Sequence, residues 1–278
     1  MDWARAKVII LSMLLVFNIY LLTSIYGYVR GEGITAETIE NTEKILASRG
    51  VRLECEIPRY DSDTPKLVID NQKPDVLLLA EKLLGKGYEE EAQGGTYING
   101  GKKLTFDGNV LLSYTDGSPA GTVELKRKNA VENYAHDFLT DKGLIDSSYI
   151  LDEKKANSDG SIYLSYLEKY KDFLVYDNYT RVIITEKGVT RIEMQKSHII
   201  RQSPEKTGDI ATAYQVLLGN FDGKTSVTIT GIDIGYKAAG TQDANGLQSS
   251  EQLPAWRIKT AETAGLRYFS LADGKEIK

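Results

Sequence analysis

Apolar positions along this chain fall into three regimes, and each predicts a different kind of element. The first is continuous: residues 8–29 are almost all apolar and follow a short tip carrying Arg5 and Lys7. A helix rises about 1.5 Å per residue, so a run of this length reaches roughly 33 Å, slightly more than a hydrocarbon core. It predicts one membrane span. Only Arg30 follows closely, offset by Glu32, so the charge bias predicts a cytoplasmic tip at 1–7 and an extracellular C-terminal domain. Trp3 at one end, with Tyr26 and Tyr28 at the other, suits the aromatic belts of the two interfaces. A cleaved signal peptide is the rival. The run is long for one, ends in bulky residues and has no small-x-small cleavage site.

The second regime has helical spacing, with apolar residues at i, i+3, i+4, i+7 and i+8. Three segments match it: Val76, Leu79, Ala80, Leu83, Leu84; Val131, Tyr134, Ala135, Phe138, Leu139; and Ile210, Ala213, Tyr214, Leu217, Leu218. Pro74 predicts a first turn, Asn129 with Glu132 a capping-box pair, and Asp209 a cap; Gly85, Gly143 and Gly219 predict the stops. A weaker helix is predicted from Thr35 to Arg49, stopping at Gly50.

The third regime is strand-like and punctuated by Asn99-Gly100, Asp107-Gly108, Asp116-Gly117, Asp159-Gly160, Asp222-Gly223 and Asp273-Gly274. These pairs predict antiparallel hairpins rather than parallel crossover units. Val227 and Ile229 face one side, then the phase slips at Gly231, which predicts a bulge. Ile45-Leu46 with Arg49-Gly50-Val51 resembles Phe138-Leu139 with Lys142-Gly143-Leu144, and Leu83-Leu84-Gly85 resembles Leu217-Leu218-Gly219. A duplicated helix, strand, helix, hairpin unit accounts for both. The expectation is an α+β protein: a linker at 30–33, a first extracytoplasmic subdomain at 34–127 and a second at 128–278. The second carries longer strands between Ser148 and Ser203.

Net charge is −5 with a pI near 5.3, and no basic stripe runs along the sequence, so nucleic acid is not an expected partner. Lys126-Arg127-Lys128 and Glu89 to Glu91 read as solvated boundaries. One cysteine, Cys55, excludes an internal disulfide framework and lies too far downstream to be a lipidation site.

Candidate chemistry is sparse. His136 falls on a helix as a solvent-facing residue, and His198 lies in a strand. Asp61-Ser62-Asp63 lacks the glycine turn and distal glutamate of a calcium loop. None of the familiar hydrolase, zincin, phosphate-loop or dithiol motifs is present. The expectation is a protein that is not an enzyme, with no catalytic residue, no cofactor and no metal. Two residues stand out for binding. Asn18 near the middle of the span can bond across to another helix, or to its own backbone. Trp256 in the outer domain is either a partner anchor or core.

The opening Met1-Asp2-Trp3, Arg5-Ala6-Lys7 and Phe17-Asn18-Ile19-Tyr20-Leu21-Leu22 resembles the start of the YycI (WalI) family. Gly231-Ile232-Asp233-Ile234-Gly235-Tyr236, Leu253-Pro254-Ala255-Trp256-Arg257-Ile258, and Tyr268-Phe269 followed by Asp273-Gly274 are similar to the closing strands of YycI and its relative YycH. The middle, 56–225, carries no recognisable motif. The resemblance implies a membrane-anchored accessory protein of low-GC Gram-positive bacteria. It implies work with a YycH-like protein on the sensor histidine kinase YycG (WalK) of a two-component system governing cell-wall metabolism, in a homo- or hetero-oligomer. It also implies contacts through the span, which places weight on Asn18, and an outer fold shared with YycH. Two other readings compete. A binding module for wall fragments or peptides would show a Tyr-lined cleft with converging polar groups. An anchored hydrolase would show a buried carboxylate pair in a cleft.

Overall fold

A computed structural model describes residues 3, 7, 10–21, 36–60, 62, 64–70, 74–91, 94–108, 111–127, 129–204, 210–223, 226–238, 251–262 and 265–277. Its helices are α1 (residues 10–21), α2 (Ala36–Ser48), α3 (Val76–Leu84), α4 (Ala130–Lys142) and α5 (Ala213–Asn220). All four helices predicted beyond the apolar run are present, and their ends show which local signals decide. Gly50, Gly85 and Gly143 take positive φ just after α2, α3 and α4, the conformation glycine enters at least cost. Pro74 lies two residues before the first turn: Asp75 caps α3 by accepting from the Leu78 N–H at 3.0 Å. The Asn129–Glu132 box does not form, because Asn129 is left-handed and the Glu132 carboxylate accepts from Lys154 instead. α5 starts later than its apolar spacing predicts. Thr212 and Gln215 make a reciprocal capping box there, which leaves Ile210 outside the helix and Gly219 within it.

The strands are β1 (Val51–Leu53), β2 (Leu67–Asp70), β3 (Glu89–Glu90), β4 (Thr96–Asn99), β5 (Lys102–Asp107), β6 (Leu111–Asp116), β7 (Tyr149–Ala156) and β8 (Ile162–Tyr170). They continue with β9 (Phe173–Thr185), β10 (Gly188–Gln195), β11 (His198–Gln202), β12 (Val227–Ala238), β13 (Glu251–Thr260), β14 (Leu266–Ser270) and β15 (Glu276–Ile277). They join one sheet in the order β11-β2-β13-β12-β9-β10-β6-β5-β4-β3, with β7-β8 added at β9 and β14-β15 at β13. Pairing is antiparallel except for β1 with β12 and β12 with β9. Four of the six turn pairs close hairpins: β4–β5, β5–β6, β7–β8 and β14–β15. Asp116-Gly117 instead opens the loop to α4, and Asp222-Gly223 joins α5 to β12. A Cβ on Gly223 would lie 2.5 Å from the Arg49 carbonyl, so this turn is shaped by the end of α2. The predicted bulge is found, with the β12–β13 register shifting between Ile229 and Gly231.

The large cores cut across the expected 34–127 and 128–278 division. In one, here called lobe A, Leu46 of α2 and Val51 of β1 pack with Tyr214 and Leu217 of α5 and with Ile229, Trp256, Ile258 and Phe269 of β12–β14. In the other, lobe B, Ala80, Leu83 and Leu84 of α3 pack with Val131, Ala135 and Leu139 of α4 over β4–β6 and β8–β10. Each half does run helix, strands, helix, strands, with two strands between the helices in the first and five in the second, but α2 is buried against the second half and α4 packs on α3 of the first as well as on β8 and β9. The repeat therefore records element order, whereas hydrophobic burial is satisfied by non-local partners. Lobe B is continuous in sequence, and lobe A is assembled from segments on either side of it. A third, small cluster of Leu67, Ile69, Val175 and Tyr236 fills the joint between them.

Candidate functional site

The joint carries a dense network of ion pairs and hydrogen bonds. Side chains alternate along β13, so Trp256 points into the lobe A core while Arg257 points to the opposite face. Register places Asp233 of β12 directly across from Arg257. Asp152 arrives from β7 at the extra residue of a bulge, between Leu151 paired with Tyr166 and Glu153 paired with Ser165. Arg257 is 1 % exposed, and each of its three guanidinium nitrogens is hydrogen-bonded. Its Nη1 and Nη2 donate to the two Asp152 oxygens at 2.8 and 2.7 Å, while Nε and Nη2 donate to Asp233 at 2.9 and 2.8 Å. Lys259 donates to Asp152 at 2.9 Å, and the Tyr176 hydroxyl donates to Asp233 at 2.7 Å. The guanidinium carbon lies 4.7 Å from the Tyr176 ring centre, in cation–π range. One turn of the joint further on, Asp177 of β9 accepts from Lys237 and from the Ala238 N–H.

Electrostatics explains why this pair of carboxylates is a clamp. Burial raises the Asp152 carboxyl, but hydrogen bonds and charge from Arg257, then Lys259, outweigh it and hold the group below the usual carboxylate range. Burial lowers Arg257, and the bonds to Asp152 and Asp233 more than reverse that. Burial and the Asp233 charge push the Tyr176 phenol upward; burial pushes Tyr268 to about 12, against the opposing Arg257 charge. Arg257 and Lys259 thus stand against Asp152 and Asp233 in one hydrogen-bonded ion-pair network. Both carboxylates are half-buried, and each is bonded to Arg257 as a counter-ion.

Backbone contact is equally close. A Cβ on Gly235 would fall 2.3 Å from the Leu174 carbonyl and 2.7 Å from Tyr176 Cζ, so only glycine lets β12 lie against β9 here. Sequence reading missed this site, although its signal was present. Asp233 and Arg257 are opposite charges that each stand between apolar neighbours, Ile232 and Ile234 for one and Trp256 and Ile258 for the other, and such charges are buried only when paired.

The singled-out residues are placed as follows. Trp256 is fully buried and its Nε1 donates to the Ala211 carbonyl at 2.8 Å; an enclosed indole offers nothing to a partner, so its role is core. Asn18 donates to its own helix, at the Leu14 carbonyl, 2.8 Å away. The described part of the apolar run is α1, and the remainder of 8–29 and the linker 30–33 lie outside the described residues. Among the described residues no helix is long and apolar enough to cross a membrane. His136 is exposed beside Asp137, and His198 is exposed in β11 opposite Asp70. Asp61 and Asp63 lie outside the described residues, and among the described residues no three His, Cys, Asp or Glu side chains converge as metal ligands. Burial pushes the Cys55 thiol upward, away from the reactive thiolate.

Residues 31–269 match the family model described as YycI protein. The chain belongs to the YycI family. Both segments that build the joint, 231–236 and 253–258, fall inside that match. The fold is similar to the crystal structure of YycH from Bacillus subtilis, at 12 % identity and a TM-score of 0.51. The alignment covers 80 % of this chain and 53 % of that one, so the chain spans about half the length of YycH. No curated protein sequence matches.

Proposed function

We propose that this YycI family member is a membrane-anchored accessory regulator of a sensor histidine kinase of the YycG (WalK) type, working with a YycH-like partner in the control of cell-wall metabolism. It acts by binding, without catalysis, through its span and its outer domain. The observation that carries this reading is α1, on which every described side chain from 10 to 21 is exposed, Leu11 at 73 % and Met13 at 69 %. Such a surface needs lipid or other helices around it, and the apolar sequence continues on both sides of the described turns. The charge bias of the tip supports an extracellular body. Asn18 spends one N–H on Leu14, and its carbonyl is offered to a partner helix.

A protein with no chemistry regulates by preferring one state of its partner, and a differential of about 1–3 kcal/mol is typical. Replacing residues 8–29 with an unrelated apolar helix is expected to abolish regulation of kinase output in cells while leaving the protein in the membrane. Unchanged output overturns the proposal.

A second reading, an outer module for wall fragments or peptides, draws support from a cleft in lobe B that carries Tyr114, Tyr134 and several lysines.

A further inference from the structure

The lobe B cleft lies at the ends of α3 and α4, against β5, β6 and the β9–β10 turn, and encloses about 420 Å³. This falls in the range of small-molecule sites, about 300–1,000 Å³. Its lining is basic in an acidic protein: Lys82, Lys102, Lys142 and Lys187 face one carboxylate, Asp116.

Two of these lysines have a local reason to be there. Lys82 and Lys142 sit in the last turns of α3 and α4, where a cation offsets the carbonyl end of the helix. Lys82 reaches far enough to lie 3.0 Å from a Cβ placed on Gly143, so both helix ends are already served. Lys102 and Lys187 come from hairpins and have no such duty. Lys102 stands opposite Asp116 in the β5–β6 register without closing an ion pair, and Lys187 occupies the β9–β10 turn. Lys142 is paired with Asp141 at 3.3 Å, but Lys82, Lys102 and Lys187 still bring three like charges around one small space, and a bound anion relieves their repulsion.

The remaining walls narrow the chemistry. Tyr134 and Phe138 stack at 6.3 Å and present an apolar side that suits a carbon skeleton. The Tyr134 hydroxyl packs over two glycines: a Cβ on Gly188 would lie 2.9 Å from it and one on Gly121 3.3 Å, so the missing side chains fix the position of this ring in the wall. Asp116 accepts from the Ser118 N–H at 2.9 Å and, more loosely, from Tyr114 at 3.4 Å, leaving acceptor capacity for a ligand hydroxyl. Lysine is a compact point charge, well matched to phosphate oxygens.

We infer that this cleft binds a small phosphate ester of a polyol or sugar, with the phosphate among Lys102, Lys187 and Lys82, hydroxyls at Asp116 and the skeleton on Tyr134 and Phe138. The inference stands on the cleft alone and is independent of the kinase reading.

The test is calorimetric titration of the full chain in detergent micelles at fixed chloride, with glycerol 3-phosphate, inorganic phosphate and glycerol as probes. Glycerol 3-phosphate is expected to bind saturably, inorganic phosphate more weakly and glycerol not at all. Lys102→Gln and Lys187→Gln are each expected to weaken glycerol 3-phosphate binding at least tenfold with the urea midpoint unchanged, whereas Lys44→Gln, on α2, has no effect. No saturable binding of either phosphate probe overturns the inference, as does binding indifferent to Lys102→Gln and Lys187→Gln.

Discussion

Arg257 is a guanidinium removed from water and held by five hydrogen bonds to two carboxylates, so its surroundings tolerate loss of either partner poorly. Asp152→Asn leaves Arg257 and Lys259 short of a counter-charge, and breaking a buried pair this way costs about 3–5 kcal/mol at neutral pH. The pH dependence has a definite sign. The folded state holds the Asp152 carboxyl below its unfolded value, so its contribution is present above the unfolded pKa, about 3.9, and is lost as pH falls through the folded one. Urea unfolding of the wild type and of Asp152→Asn is expected to show the full difference at neutral pH and a shrinking one only in strong acid. A difference constant with pH would mean that packing, not charge, is what the substitution removes. Glu168 has the opposite sense. Burial raises it despite the Asn178 hydrogen bond, so it opposes folding once ionised.

Elements meet most closely where β12 passes β9. Gly235→Ala would drive a methyl group into the Leu174 carbonyl and the Tyr176 ring, and overpacking of this kind costs about 1–3 kcal/mol or more. Loss of stability measured by thermal unfolding is the expected outcome, together with faster hydrogen exchange at Val175 and Tyr236, whose backbones pair there. Helices, hairpins and the β12 bulge were legible in the sequence because each depends on a few neighbouring residues. Where a side chain had a distant alternative, local reading failed. Glu132 was expected to cap α4 and bonds Lys154; Asp222-Gly223 was expected to turn a hairpin and packs against Arg49. Trp256 shows the same limit, because an aromatic after Pro254 suits an interface as well as a core until burial is known. The Arg257 cluster draws on β7, β12 and β13 at once, so no single stretch of sequence displays it.

At the scale of the whole molecule, burial predicts independence for lobe B and dependence for lobe A. A fragment of residues 74–204 keeps nearly all of the lobe B core and is expected to unfold cooperatively in urea, whereas 34–127, which divides both cores, is expected to show no cooperative transition. The reverse result would mean that the repeat, and not the packing, defines the folding unit.

The parallel pairing of Val51 with Val227 carries a last consequence. A chain made from its first residue onward delivers α2 and β1 long before the strand that β1 must join. Lobe B can close while synthesis continues, but Leu46 and Val51 wait in water until α5 and β12–β14 emerge. Lobe A is therefore the last to mature, and for that interval its oldest residues are the ones a chaperone or protease meets.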